Sequence, residues 1–284
     1  MDLKKLIEDS KEKEIMNDLA NGEFEKIIST INKRYECKAS FFSKKKDANI
    51  PFALSILKAV LQGEIRSTKY SKYAKLDVDK DDIGELLELT RMLYILESNN
   101  ICKAISLAEI LLECIRDGAV YTEKNSNNYP ANPLNAKIWM DGAELRIRAG
   151  ELAMFFSRNN LDKEELEALF LRSKITNSIM SHYPDLVGPD MIAVAKKYEH
   201  LGHPDKAINF YTAVFHDFPQ FLNEIEEMEK ECKKTNEKME YDEDDIAIIT
   251  ALRDACEGLR RLKKDIDQNI LDRAKNQLQK ANSN

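Results

Sequence analysis

Residues 189–219, PDMIAVAKKYEHLGHPDKAINFYTAVFHDFP, impose the tightest constraint on what this 284-residue chain can fold into. Met191, Val194, Ala195 and Tyr198 recur at intervals of three and four, which places them on one face of a helix. Leu201-Gly202-His203-Pro204 interrupts that pattern, since glycine accepts the left-handed backbone at a helix end and proline suits the first turn of the next helix. Ala207, Phe210, Tyr211 and Val214 then restore the spacing until Pro219 stops it. The stretch predicts two short amphipathic helices folded back on each other through a tight turn.

Weaker copies of this pattern fill the rest of the chain. LANGEFEKIISTI at 19–31 repeats it, although Ile27 stands where the central hairpin has a small residue. Residues 82–97 and 101–116 form a third copy, with Asn99 at the turn place of Gly202 and with Ala104 and Ala108 at the corresponding offsets. Residues 134–158 and the segment from 162 to Tyr183-Pro184 form a fourth with longer arms, whose second helix opens on Asp162 and Glu165 at capping-box spacing. Its first helix carries Trp139, Ile147, Leu152 and Phe155 among its apolar residues. Residues 221–238 predict an acidic, thinly apolar helix along one edge. Asp242 to Asp245 then cap a single long helix, whose seam runs through Ile249, Leu252, Cys256, Leu259, Leu262, Ile266, Ile270 and Ala274.

The expected fold class is therefore all-α: an irregular stack of antiparallel helical hairpins closed by a long C-terminal capping helix. Only 9 Gly and 7 Pro beside 33% charged residues agree with that economy of turns. The Asn-, Ser- and Pro-containing run EKNSNNYPANP at 123–133 is the best boundary. The predicted divisions are 1–118, 134–219 and 220–284.

Charge and cysteine content narrow the function classes. A net charge of −7 opposes bulk attraction to nucleic acid or an anionic membrane, so neither is an expected partner. Residues 1–76 hold 16 Lys and Arg against 11 Asp and Glu, and the rest of the chain is correspondingly acidic. Five cysteines without a C-x-x-C pair, and an N-terminus charged from its second residue, predict reduced thiols in a cytoplasmic protein. No apolar run approaches the ~20 residues that span a bilayer.

Catalytic signatures are absent from the sequence. G-x-x-x-x-G-K-[ST], G-x-G-x-x-G and G-x-S-x-G do not occur, so an enzyme is not expected and no cofactor is implied. His182, His200, His203 and His216 lie in one region without H-E-x-x-H or C-x-x-C, and read as helix-end residues with no metal. Asp77, Asp79, Asp81 and Glu88 share the ligand spacing of an EF-hand, but Asp82 stands where that loop requires glycine, and the carboxylates read better as the acidic start of a helix. Phe41-Phe42 beside Lys44-Lys45-Lys46 reads as core-plugging rings with solvated lysines. Tyr70 and Tyr73 interleaved with Lys69 and Lys72 form a secondary contact surface on a short exposed helix.

The central hairpin resembles a tetratricopeptide repeat. Val194, Ala195, Tyr198, Gly202, Ala207, Tyr211 and Pro219 stand at that family's intervals, whereas Met191 and Val214 depart from its usual aromatic and small residue. The resemblance implies an α-solenoid whose first helix lines a concave groove, with Ile192, Lys196, Glu199 and His200 facing a ligand. Ile192 and Lys196 stand at the places where repeats that clamp a C-terminal carboxylate need a basic residue and Asn, so an extended or helical peptide is the implied ligand. The expected function is a protein-binding scaffold, adaptor or chaperone-like protein. An α-helical enzyme or small-molecule sensor with a pocket near Trp139 is the alternative, and the C-terminal seam could also support self-association.

Overall fold

The computed structural model describes residues 86–126 and 134–282, and every regular element among them is an α-helix. The chain divides into two compact units, Met1–Tyr121 and Thr122–Asn284. In the first, α1 (Leu86–Asn99) gives way to α2 (Ile101–Ser126) through one residue. The Asn100 N–H donates to the Leu96 carbonyl at 2.6 Å, ending α1, while its Oδ1 accepts from the Lys103 N–H at 3.2 Å and caps α2. The turn therefore falls on Asn100, and Asn99, expected there in the left-handed conformation, is the last residue of α1. Leu86, Leu93 and Leu96 from α1 and Ala104, Leu107 and Leu111 from α2 are buried. Helix α2 also continues past Gly118, where a loop was expected, because Ala119 and Thr122 are buried as helical residues.

The second unit contains α3 (Leu134–Arg158), α4 (Asp162–Ile179), α5 (Pro184–His200), α6 (Pro204–Asp217), α7 (Pro219–Thr235), α8 (Glu243–Arg261) and α9 (Gln268–Ala281). Helices α3 and α4, α5 and α6, and α8 and α9 pack as antiparallel pairs; α4 also packs on α5, and α8 lies across both α5 and α6. Turn chemistry accounts for most of the breaks. Gly202 and Asn160 adopt φ of 75° and 56°, and Pro184, Pro204 and Pro219 occupy first-turn positions where a missing N–H costs nothing. Helix α5 starts at Pro184 and passes through Pro189, which was expected to begin it. This early in the helix, proline forfeits only one backbone bond.

The predicted long C-terminal helix is two helices. Lys263 adopts φ 57°, its N–H donates to the Arg260 carbonyl at 3.0 Å, and the Lys264 N–H reaches back to Leu259 at 2.9 Å. That pair of bonds is a Schellman stop, which terminates α8 even though the residue in the left-handed position is not glycine. Asp267 starts α9 by accepting from the Asn269 N–H at 2.9 Å. Leu262, Ile266 and Ile270 still pack against the core, but through a chain reversal instead of a continuous seam.

The main core lies where α8 meets α5 and α6. Tyr211 is fully buried there with Val214, Leu252, Ala255 and Cys256. Gly258 of α8 sits beneath the Tyr211 ring, so close that an added Cβ would lie 2.5 Å from ring carbons. A smaller cluster joins α7, α8 and α9 through Ile225, Ile249, Ala274 and Leu278. The expectation of an acidic edge helix agrees with α7, which buries only Leu222 and Ile225. Its acidic side is tied to α9: Arg273 donates to Glu226 at 2.8 Å, and Lys280 donates to Glu229 at 2.7 Å.

Two measurements follow from this packing. Gly258→Ala gains up to about 1 kcal/mol of helix propensity but overpacks the ring by about 1–3 kcal/mol, so urea unfolding should show a net loss of up to about 2 kcal/mol where an exposed helical Gly→Ala would show a gain. The Glu229 carboxyl is held down to about 2, against an ordinary 4.5, by hydrogen bonds from Lys233 and Lys280. A depressed carboxyl stabilises the fold above its ordinary value, and that contribution is lost as the pH falls from about 4.5 towards about 2. Thermal melts across that window should fall less steeply for Glu229→Gln than for the wild-type chain.

Candidate functional site

Helix α5 was expected to offer an open groove through Ile192, Lys196, Glu199 and His200. The structure places α8 against it. Ile192 is 4% exposed and belongs to the core shared by α5, α6 and α8, so its role is packing. Lys196 Nζ reaches the Asp254 carboxylate of α8 at 2.5 Å. Glu199 accepts from the Tyr211 hydroxyl at 2.8 Å and from Arg261 of α8 at 2.9 and 3.0 Å. Arg261 and Tyr211 hold the Glu199 carboxyl below its usual range, while burial and then Glu199 push the Tyr211 phenol above its own. Of the four, His200 and Lys196 are exposed, Lys196 with its Nζ tied to α8. The structure thus brings three of these residues together as the seat of α8.

The other side of α5 carries two polar ties to the preceding pair. Asp190 is 3% exposed, and its carboxylate accepts from Arg146 of α3 at 2.9 Å and Thr176 of α4 at 2.7 Å, with Arg172 Nε at 2.8 Å. A buried carboxylate between two guanidinium groups is stable only while these partners remain. Lys197 lies between Asp162 and Glu165, each at 2.6 Å. Those two carboxylates had the spacing of a capping box, but Leu161 takes the cap position and Asp162 serves Lys197 instead. Sequence spacing alone could not reveal that choice, because the competing donor sits on another helix.

Among the described residues, the largest apolar exposure lies on α3. Met140, Ile147 and Met154 are 66%, 48% and 55% exposed and follow one another at seven-residue intervals on the side turned away from α4. Ile147 had been named among the apolar residues of this helix without a face assigned to it. Arg146 and Arg148 stand on either side of it, and the Met-Ile-Met heptad was legible as a second, narrower stripe. Glu144 and Glu151 flank it, and both pair with Arg148, which is 9% exposed. A second patch is aromatic: Phe170 meets Phe210 edge-on at 6.4 Å, Phe210 stacks on Tyr198 at 5.9 Å, and Lys206 stands 5.3 Å from the Tyr198 ring. An open cleft of about 510 Å³ between α8 and α9 is lined by Arg253, Glu257 and Lys275, with Lys275 bridged to Glu257 at 3.0 Å.

The four histidines are exposed on separate helix ends and turns, and no group of His, Cys, Asp and Glu among the described residues could hold a metal ion. Cys102, Cys114, Cys232 and Cys256 are free thiols. No described helix is long and apolar enough to cross a membrane. Tyr70, Tyr73, Lys69 and Lys72, the Phe41-Phe42 stretch, the carboxylates at Asp77, Asp79 and Asp81, and the side chains of Trp139 and Glu88 lie outside the described residues.

No family model matches the chain, and no curated protein or solved structure matches it.

The reassignment of the α5 face has a measurable consequence. Lys196→Glu sets a carboxylate beside Asp254, which is 13% exposed, and should lower stability by about 1 kcal/mol in urea unfolding. Because the residue seats α8, the substitution should leave binding of any partner protein unchanged at temperatures where the variant is folded.

Proposed function

We propose that this chain is a helical interaction scaffold, acting in the cytoplasm, whose α3 edge receives a segment of another protein. The observation that carries this reading is the Met140–Ile147–Met154 stripe. Three large apolar side chains left about half or more in water along one helix face are what a surface awaiting a partner would present, and methionine adapts its shape to what it meets. Heptad spacing suits an approaching helix, because it keeps all three side chains on one seam over about two heptads.

The tetratricopeptide-like architecture forms part of the same proposal. An α5–α6 hairpin with α8 laid on both its helices is what stacked helical pairs would produce, with α8–α9 as the next pair and α7 as an insertion. The contact surface moves accordingly, from the α5 face to the outer face of the α3–α4 pair. Self-association through a continuous C-terminal helix loses its motive, since the seam is interrupted at Lys263. The enzyme or sensor reading centred on Trp139 gains no observation from the described residues.

The test is affinity capture from the native cell with the wild-type chain and with Met140→Asp, Ile147→Asp and Met154→Asp combined. These residues are exposed, so the melting temperature should move by no more than about 2 °C. Capture of the specific partner should fall about tenfold or more with the triple variant and persist with Lys196→Glu. An identical set of captured proteins from all three chains would overturn the proposal.

A further inference from the structure

Helix α7 and the loop after it are fastened to the rest of their unit in two different ways. The N-terminal end is pinned by shape. An added Cβ on Gly188 of α5 would stand 2.5 Å from the Phe218 ring, and Phe218 and Leu222 belong to the core shared by α5, α6 and α8. Helix α7 packs on α8 less extensively than α9 does, and past Leu222 the buried apolar anchors are Ile225 and, in the loop, Met239. A row of polar contacts to α9 supplies the other fastening. Arg273 donates from Nε and Nη2 to Glu226, each at 2.8 Å, and from Nη2 to Asn223 at 2.5 Å. Gln277, only 3% exposed, donates to Glu229 at 3.1 Å and accepts from the Tyr241 hydroxyl at 2.6 Å. Lys280 donates to the two Glu229 oxygens at 2.9 and 2.7 Å, and Lys233 of α7 itself reaches Glu229 at 2.7 Å. Asn223, Glu226 and Glu229 recur at three-residue spacing on α7, and Arg273, Gln277 and Lys280 at spacings of four and three on α9, so the contacts form one continuous row.

We propose that residues 223–241 form a strap that unfolds and recloses as a unit while the core of α5, α6 and α8 stays intact, with Phe218 and Leu222 as its fixed end and the charge row along α9 setting how often it opens. A segment with few buried apolar contacts opens at lower cost than the whole fold. The row is open to salt, because Arg273, Glu226 and Lys280 are 30%, 24% and 45% exposed and partly exposed pairs are screened. The α5–α6–α8 core is held by apolar shape and has no such dependence. Opening withdraws Ile225 and Met239 from Ile249, Ala274 and Leu278 and bares that apolar face. The strap is thus a gate worked by charge, and it stands independently of the partner proposed for α3.

The test is native-state hydrogen exchange on the full chain, followed at the amides of 225–232 in α7 and 248–256 in α8. Where exchange reports the opening equilibrium, the α7 amides should exchange about tenfold or more faster than those of α8. Raising sodium chloride from about 50 mM to about 500 mM should speed α7 about threefold and change α8 by less than about 1.5-fold. Arg273→Glu sets a carboxylate beside Glu226 and should speed α7 about fivefold or more, and adding Glu226→Arg should bring it back to within about twofold of the wild-type rate. Should Arg273→Glu unfold the chain by circular dichroism, Arg273→Gln should speed α7 about twofold or more and shrink its response to salt. One exchange rate shared by α7 and α8 would overturn the proposal, since the strap would then open only with the core. So would fast α7 exchange that neither salt nor the Arg273 substitutions alter, which is plain fraying of a helix end. A charge reversal that Glu226→Arg fails to rescue would overturn it as well.

Discussion

The fit of Tyr211 against Gly258 is the constraint on which the C-terminal unit depends. A ring with no exposed surface needs a helix to close over it, and only a residue without Cβ lets α8 come that near. Once α8 is seated, Ile192, Leu252, Ala255 and Cys256 are removed from water together, and the hydrophobic gain is shared by three helices instead of two. The polar contacts follow from that placement. Arg261 meets Glu199 and Lys196 meets Asp254 because the apolar seam has already fixed the register, and partly exposed pairs of this kind refine a geometry more than they create it.

The same helix α5 is held from its other side by a different kind of bond. Asp190 draws Arg146, Arg172 and Thr176 into a buried cluster, so the α3–α4 pair is oriented by directional contacts where α8 is held by shape. Breaking a buried pair from one side costs about 3–5 kcal/mol, whereas sliding an apolar contact costs far less. Helix α5 is thus the fixed element of the unit, and the two faces left to its neighbours differ. Helix α8 is covered in turn by α9, while the far side of α3 keeps its methionines in water.

That asymmetry is what sets the proposed contact surface on α3. At the C-terminal end, α9 folds back over α8, with Leu271 and Ala274 fully buried. On α3 the exposed stripe is narrow and regularly spaced, with Glu144 and Glu151 beside it paired to Arg148.

The sequence by itself determined the helices, most of their turns and the antiparallel pairing, because three-and-four periodicity and the φ demands of Gly202 and Asn160 are local. It also marked α7 as an edge helix through its scarcity of apolar residues. What it misassigned depends on other helices. Asp162 and Glu165 looked like a cap until Lys197 competed for them; Ile192 and Lys196 looked open to a ligand until α8 buried the first and paired Asp254 with the second. The stop at Lys263 was hidden for a further reason, since a lysine in the left-handed conformation gives no compositional signal and only the reversal of α9 onto α8 makes it worthwhile. Tertiary structure alone decided which apolar stripe of each amphipathic helix faces inward, because a period in the sequence fixes the existence of a face and only the neighbouring helix fixes what that face meets.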